Sequence, residues 1–342
     1  MQARRTRPSR EILSGESADV YFARADRILE REGLDPVVTM EVFGRREGIL
    51  CGIDEVKNLL AHALAASDPA EVTVESLGDG DEIAAKEIVL RIEARYRAFG
   101  LYETAILGML AQSTGWATAA RECVTAAAPL PVISFGARHV HPDITDVLDY
   151  AAIVGGCVGA STPAGARLAG LNPTGTMPHS LVLIIGDTVK AAEAFDRDLE
   201  PDVPRIVLVD TFKDEAEEAL RVAQSLGERL YGIRLDTPSE RGRVTPDLVL
   251  EVRARLDQAG YGHVKIVVSG GLTPDRMAVF RDAGAPVDSY AVGSYISGAT
   301  PIDFTGDIKE IEGRPIAKRG RIPGRTESPR LRPVRLEDWR ET

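Results

Sequence analysis

The sequence predicts an α/β protein, a parallel sheet of strand–helix units preceded by an α+β domain. From about residue 130, short apolar runs rich in β-branched residues alternate with amphipathic helical stretches, which is the pattern of βαβ units and a parallel sheet. Before that point the texture differs, with longer strand-like runs mixed among helices. Size agrees: 342 residues, 44% of them apolar, suffice for two ordinary domains or one elaborated barrel.

The elements follow in order. VVTMEVF (37–43) and EIVLRIEARY (87–96) read as strands, and GIDEVKNLLAHAL (52–64) has apolar residues at helical spacing. LYETAILGMLAQ (101–112) is apolar nearly all round and reads as a buried helix. Together these define an N-terminal α+β domain over residues 1–128. The α/β domain, 129–299, contains PVISFG with a helix at 143–151, then RIVLVD (205–210), YGIRLD (231–236) and KIVVSGG (265–271), each followed by a helical stretch, and finally SYAVGS (289–294). Position in the alternation places further strands at about 132–135, 152–155 and 174–178. Seven strands in so short a span fall below the roughly 250 residues of a full eight-stranded barrel, so a doubly wound open sheet competes. The segment 300–342 returns to short strands and turns and is grouped with the first domain. Eight Lys or Arg between 314 and 335, against one acid, read as solvated surface.

Composition excludes several functions. A net charge of −11 and a pI of about 5.1 disfavour nucleic-acid and anionic-membrane partners, so an anionic ligand must be caught locally. Cys51, Cys123 and Cys157 are widely spaced, which indicates neither a zinc site nor a disulfide framework and fits a reducing cytoplasm. The N-terminal MQARRTRPSREIL lacks the apolar core of a signal peptide. The longest aliphatic runs are far short of the ~20 residues that span a bilayer. A cytoplasmic location is expected.

In parallel α/β folds the ligand sits at the carboxyl ends of the strands. The polar residues there are Ser134 and Arg138, Asp210, Arg234 and Asp236, Ser269-Gly270-Gly271, and Gly293-Ser294. SGG opening a helix at Pro274, with GS ending the next strand, suits a phosphate: glycines admit the anion and helix-start N–H groups point at it. Arg234 and Asp236 share one face of their strand, and a charge pair there belongs at the mouth rather than in the core. Asp210 ends the neighbouring strand, and carboxylates at this depth suit ribose hydroxyls or Mg²⁺. NPTGTMPHSL (172–181) carries a histidine just before the buried-looking run LVLII. Taken alone, His179 reads as a solvated loop imidazole.

In this order the residues resemble the nicotinate phosphoribosyltransferase family, through ADVYF (18–22), YRAFGLYETAILG (96–108), SFGARHVHP (134–142), NPTGTMPHSL, VDT (209–211), IRLDTP (233–238), VSGGL (268–272), VGS (292–294) and KRGRIPG (318–324). The resemblance covers roughly residues 15–325 and is nearest the compact archaeal-type branch. The chain lacks the zinc-ribbon tail often found in that branch, so no zinc is implied. The implied fold is that of the type II phosphoribosyltransferases, an incomplete seven-stranded α/β barrel whose N-terminal α+β domain packs on a neighbouring subunit. The implied assembly is a homo-oligomer, a dimer or a trimer of dimers, with active sites at the dimer interface. The implied reaction joins nicotinate to phosphoribosyl diphosphate, giving nicotinate mononucleotide and pyrophosphate with ATP hydrolysis, in NAD salvage.

The resemblance also implies roles. His179 would be transiently phosphorylated by ATP, at a loop position by a strand end. Asp236 and Asp210 would hold ribose hydroxyls or Mg²⁺, and Arg234 the pyrophosphate or the base side. Ser269, Gly270, Gly271, Gly293 and Ser294 would cradle the 5′-phosphate. Tyr21 of a partner and Phe135 would sandwich the pyridine, Arg138 would bind its carboxylate, and Thr176 belongs to the same substrate set. Related nicotinamide enzymes place an aspartate where Ser134 stands, so Ser134 favours nicotinate, and Ser134→Asp should cost activity far more than stability. Rival readings are a quinolinate or nicotinamide phosphoribosyltransferase, a non-catalytic nucleotide-binding homologue, and a barrel aldolase or isomerase. The last lacks a strand-end lysine, because Lys265 begins its strand and Lys213 lies past VDT. Glu103 and the Tyr96–Gly100 loop receive no role.

Overall fold

A computed structural model of the chain describes residues 8–339. Residues 1–7 of the charged N-terminal stretch, and the last three of the 300–342 segment, lie outside them. The chain divides into two compact units, Met1–Thr118 with Ala299–Thr342, and Ala119–Gly298; the boundary falls inside the long helix Glu103–Ala127.

The first unit is built on a six-stranded antiparallel sheet. Val37–Gly44 lies at its centre between Ile88–Arg95 and Phe304–Ile311, with Thr73–Ser76 and the short pairs Arg314–Pro315 and Arg332–Pro333 outside. The helix Ile53–Ala63 buries Val56, Leu59 and Leu60 in the same core as Val38, Met40, Leu90 and Ile92. The basic run 314–335 is exposed, as expected, but it is tied down. Lys318 and Arg321 pair with Asp307, Arg325 with Glu93 and Glu310, Arg330 with Glu87, and Arg335 with Asp338.

The second unit carries a parallel sheet in the order Gly159–Ala160, Val132–Ser134, Ser289–Val292, Lys265–Val268, Gly232–Leu235, Ile206–Leu208. Its two edge strands do not pair with each other, so the sheet is a curled half-barrel. Alternate residues explain the burial: Val207, Ile233, Leu235, Ile266, Val268 and Val292 are fully buried on one face, and on the other Ile206, Val267 and Ala291 form a separate cluster with Phe135 packed against it.

Four sequence expectations need correction. The sheet has six strands among the described residues, not seven. The stretch 174–178 forms no strand: Pro173 precedes it and Pro178 ends it, Pro has no N–H to give a ladder, and the ladder-like bond found is Thr174 N–H to Ala160 O at 2.8 Å. Residues 152–155 end a helix, Thr145–Val154, whose buried face includes Ala151 and Ala152; the strand comes later, at Gly159–Ala160. The run LVLII is not buried either. It belongs to the helix His179–Ile185, which buries Val182 while Leu183 is 58% and Ile184 84% exposed. No helix of the described residues is long and apolar enough to cross a membrane, and all three cysteines are buried and free.

Candidate active site

The carboxyl ends of five neighbouring strands form one rim because the parallel register aligns them: Leu208 pairs with Arg234, Leu235 with Val268, Val268 with Tyr290, and Val292 with Ser134. Asp210, Asp236, Ser269, Gly293 and Phe135 follow these strand ends and emerge at similar depth. All of these but the buried Asp210 line a cleft of about 440 Å³, whose walls also include Arg138, Thr176, His179, Arg234, Gly270, Gly271 and Ser294.

Polar contacts fix its floor. Arg234 donates from Nη1 to Thr176 Oγ1 at 2.7 Å and from Nη2 to Asp236 Oδ2 at 3.3 Å, and its guanidinium lies 5.5 Å from the Phe135 ring centre. Asp236 accepts on Oδ1 from the Ser269 hydroxyl at 2.9 Å, and its backbone N–H donates to Asp210 Oδ2 at 3.0 Å. Burial disfavours charge on Asp236, but His179, Arg234 and Ser269 together hold its carboxyl below the usual range. Asp210 goes the other way, raised chiefly by burial, and its buried Oδ1 has no hydrogen-bond partner.

His179 begins a helix rather than lying in a loop by a strand end, as the sequence had suggested. Its Nδ1 lies 3.0 Å from the Thr211 hydroxyl, and its Nε2 lies 3.6 Å from Asp236 and 3.9 Å from Asp210. The Asp236 carboxylate raises its pKa, against the opposing effect of burial. The imidazole is therefore braced on one side and faces two carboxylates on the other.

The phosphate-type loop is shaped by backbone geometry. Gly270 and Gly271 have φ of +87° and +61°, and a Cβ on Gly271 would fall 2.1 Å from the Arg243 guanidinium. Arg276 Nη1 takes both glycine carbonyls at 3.0 Å. Across trans peptides the following N–H groups then point away from the arginine. The N–H groups of residues 270–273 have no backbone acceptor among the described residues, and they lead into the helix Pro274–Asp282. That is an anion-accepting arrangement. On the facing strand, a Cβ on Gly293 would lie 2.9 Å from His139 and 3.1 Å from the Phe135 carbonyl.

Most of the residues read from sequence meet here; two do not. Ser134 is fully buried, and its hydroxyl donates to Asp149 Oδ1 at 3.2 Å rather than into the cleft. Tyr21 belongs to the other unit, on the helix Val20–Glu32, 57% exposed with its hydroxyl donating to Asp19. Sequence reading also missed residues. His139 lines the cleft, with Nδ1 3.2 Å from the Ser297 hydroxyl, and Ser161 lines it beyond a two-residue strand. His139 lay inside the quoted SFGARHVHP and Thr211 inside VDT, and both could have been taken from them; Ser161 carried no such signal.

The chain matches known families along most of its length. The model described as the N-terminal domain of quinolinate phosphoribosyl transferase matches residues 19–114, and that of the C-terminal domain matches residues 116–307. "Nicotinate phosphoribosyltransferase pncB1" of Mycobacterium tuberculosis is 30% identical over 316 residues, covering 82% of this chain and 69% of that protein. A solved nicotinate-nucleotide pyrophosphorylase from Pyrococcus furiosus is 44% identical, with a TM-score of 0.86 over 95% of this chain and 82% of its own. The human nicotinic acid phosphoribosyltransferase structure shares the fold, with a TM-score of 0.68 at 20% identity over 90% of this chain and 77% of its own.

Proposed function

The chain belongs to the quinolinate phosphoribosyl transferase family, the type II phosphoribosyltransferases, and on that premise we propose that it transfers phosphoribosyl to nicotinate. The products would be nicotinate mononucleotide and pyrophosphate, within NAD biosynthesis, with ATP spent through His179. The observation that carries this reading is the cation inventory of the cleft. Arg234 is committed to Thr176 and Asp236, whereas the exposed Arg138 makes no hydrogen bond or ion pair among the described residues. One free guanidinium suits one carboxylate, bound by two parallel hydrogen bonds. Quinolinate carries two, and no lysine lines the cleft.

The chemistry asks little of a base. The pyridine nitrogen attacks the anomeric carbon with its own lone pair, the C–O bond to pyrophosphate breaks, and the electron pair leaves with pyrophosphate. Catalysis is then positioning and charge stabilisation. Phe135 offers a face for the ring, Asp236 an anion near the developing ribosyl cation, and the SGG and Gly293-Ser294 loops a seat for the 5′-phosphate. The unpartnered Asp210 Oδ1 beside Asp236 fits a divalent cation shared with substrate oxygens. Mg²⁺ there would neutralise charge on the pyrophosphate. His179, in the same cleft, can accept a phosphoryl group while Thr211 braces its ring. Tyr21 of a second copy closing the ring sandwich, in a homo-oligomer, remains part of the proposal.

The family model and the name of the Pyrococcus furiosus relative favour a second reading, quinolinate as substrate. A paired assay separates the two: nicotinate, nicotinamide or quinolinate with phosphoribosyl diphosphate and Mg²⁺, with and without ATP, for wild type and His179→Ala. Nicotinate mononucleotide formed from nicotinate, stimulated by ATP only in wild type, is the expected result. Product from quinolinate alone, with release of CO₂, would overturn the proposal.

A further inference from the structure

We infer that Asp149 is a positioning residue for the pyridine wall of the cleft, acting as a clasp beneath two strand ends. This rests on the reading of Phe135 as the ring-stacking side chain. Asp149 lies on the helix Thr145–Val154, and it is fully buried. Its Oδ1 accepts from the Ser134 hydroxyl at 3.2 Å; its Oδ2 accepts from the Thr162 N–H at 3.1 Å and the Thr162 hydroxyl at 2.7 Å. All three donors are uncharged.

The placement of those donors is what matters. Ser134 and Ala160 are register partners on adjacent parallel strands. One residue past Ser134 is Phe135, and between Ala160 and Thr162 is Ser161; both line the cleft. The carboxylate thus ties together the two chains at the point where each turns into the site. Thr162 extends the link, since its hydroxyl also accepts from Gly165 N–H and caps the helix Pro163–Leu168. The packing leaves no slack: a Cβ on Gly165 would sit 2.2 Å from the Asp149 Cβ, and one on Gly136 would sit 3.0 Å from Leu148. A buried carboxylate served only by neutral donors is a poor choice for stability alone, and burial duly raises its pKa. An acceptor with two oxygens is, however, what a junction of three donors requires.

The clasp is tested by Ser134→Ala, Asp149→Ala and Thr162→Val, which each remove hydrogen bonds, and by Thr162→Ser, which keeps all three donors. Steady-state KM values are measured for the pyridine acid that wild type turns over and for phosphoribosyl diphosphate, alongside hydrogen exchange of segments 134–136 and 161–165. The disruptive variants should raise KM for the pyridine about tenfold, the scale of one hydrogen bond, with kcat and the other KM within about twofold. Exchange should quicken in both segments together even where a single arm is cut, and Thr162→Ser should behave as wild type. A fall in kcat or in stability with both KM values unchanged would mean ordinary core packing and overturn the inference, as would exchange that quickens only in the mutated segment. Should Asp149→Ala not fold, Ser134→Ala and Thr162→Val decide. Because exchange needs no substrate, a wild type inactive on nicotinate would refute the proposed function while leaving the clasp separately judged.

Discussion

The His179 imidazole stands 3.6 Å from Asp236, whose same oxygen receives Arg234 at 3.3 Å, so one carboxylate orients both the imidazole and the guanidinium of the cleft floor. Asp236→Asn should therefore cost more than a single contact. It removes the group that raises the His179 pKa, so the imidazole should titrate lower, with burial then unopposed by that partner. It also leaves the largely buried Arg234 with less compensation for its lost hydration. The expected loss in kcat/KM is on the order of 10²-fold, and NMR titration of the His179 ring should show the downward move. An unshifted His179 would remove Asp236 from this role.

Gly271 offers a sharper test of the anion loop. Gly271→Ala meets both a positive φ of +61° and a guanidinium 2.1 Å from its Cβ. Gly284, at φ +64° with open space around it, is the control. Each substitution carries backbone strain of about 1 kcal/mol, so both should lower Tm slightly. Gly271→Ala alone should raise KM for phosphoribosyl diphosphate, by roughly tenfold or more. Equal KM values in the two variants would separate the loop from the 5′-phosphate.

Much of this site was legible in the sequence because parallel sheets put chemistry at strand ends. Asp210, Asp236, Ser269 and Gly293 each follow an apolar run and Arg234 stands within one, so the runs located them. His179 was located by its motif, but its surroundings were misjudged: an aliphatic run looks buried, and nothing local says that Leu183 and Ile184 stay exposed on a helix. The false strand at 174–178 failed on its prolines, a signal present in the sequence and outweighed by position in the alternation. The contact of Ser134 with Asp149 was not legible, because it joins residues 15 apart whose meeting depends on how the helix Thr145–Val154 packs. The tail's ion pairs are equally non-local, linking Arg325 to Glu93 and Arg330 to Glu87.

Glu103, without a role in the sequence, gives the first unit a pH response. It lines a cavity of about 430 Å³ with Met40, Tyr96 and Lys318, and burial, aided by Asp307, raises its pKa from 4.5 to about 7. The folded form then holds the proton more tightly than the unfolded chain. The stabilisation is full below pH 4.5 and is lost as the pH rises through about 7. Unfolding curves across this window should show a wild-type decline that Glu103→Gln largely flattens. A variant with the same decline as wild type would assign the response to another group.

Ser134→Asp is the variant on which the structure and the family resemblance disagree. By resemblance, an aspartate there repels nicotinate and spares the fold. In the structure, the Ser134 hydroxyl is buried 3.2 Å from Asp149 Oδ1, so the new carboxylate would meet an existing one away from water. Two carboxylates at that separation do not both ionise; one is forced to keep its proton, and the desolvation penalty falls on the folded state alone. The variant should lose about 3 kcal/mol of stability at neutral pH and regain part of it in acid, where the raised pKa of the pair favours the folded form. Ser134→Asp combined with Asp149→Asn removes the second charge and should recover most of the loss. Chemical denaturation of the single and double variants, read beside their nicotinate kcat/KM, decides between the two accounts. If Ser134→Asp unfolds at the wild-type midpoint yet turns over no nicotinate, position 134 discriminates the substrate directly and Asp149 is a bystander.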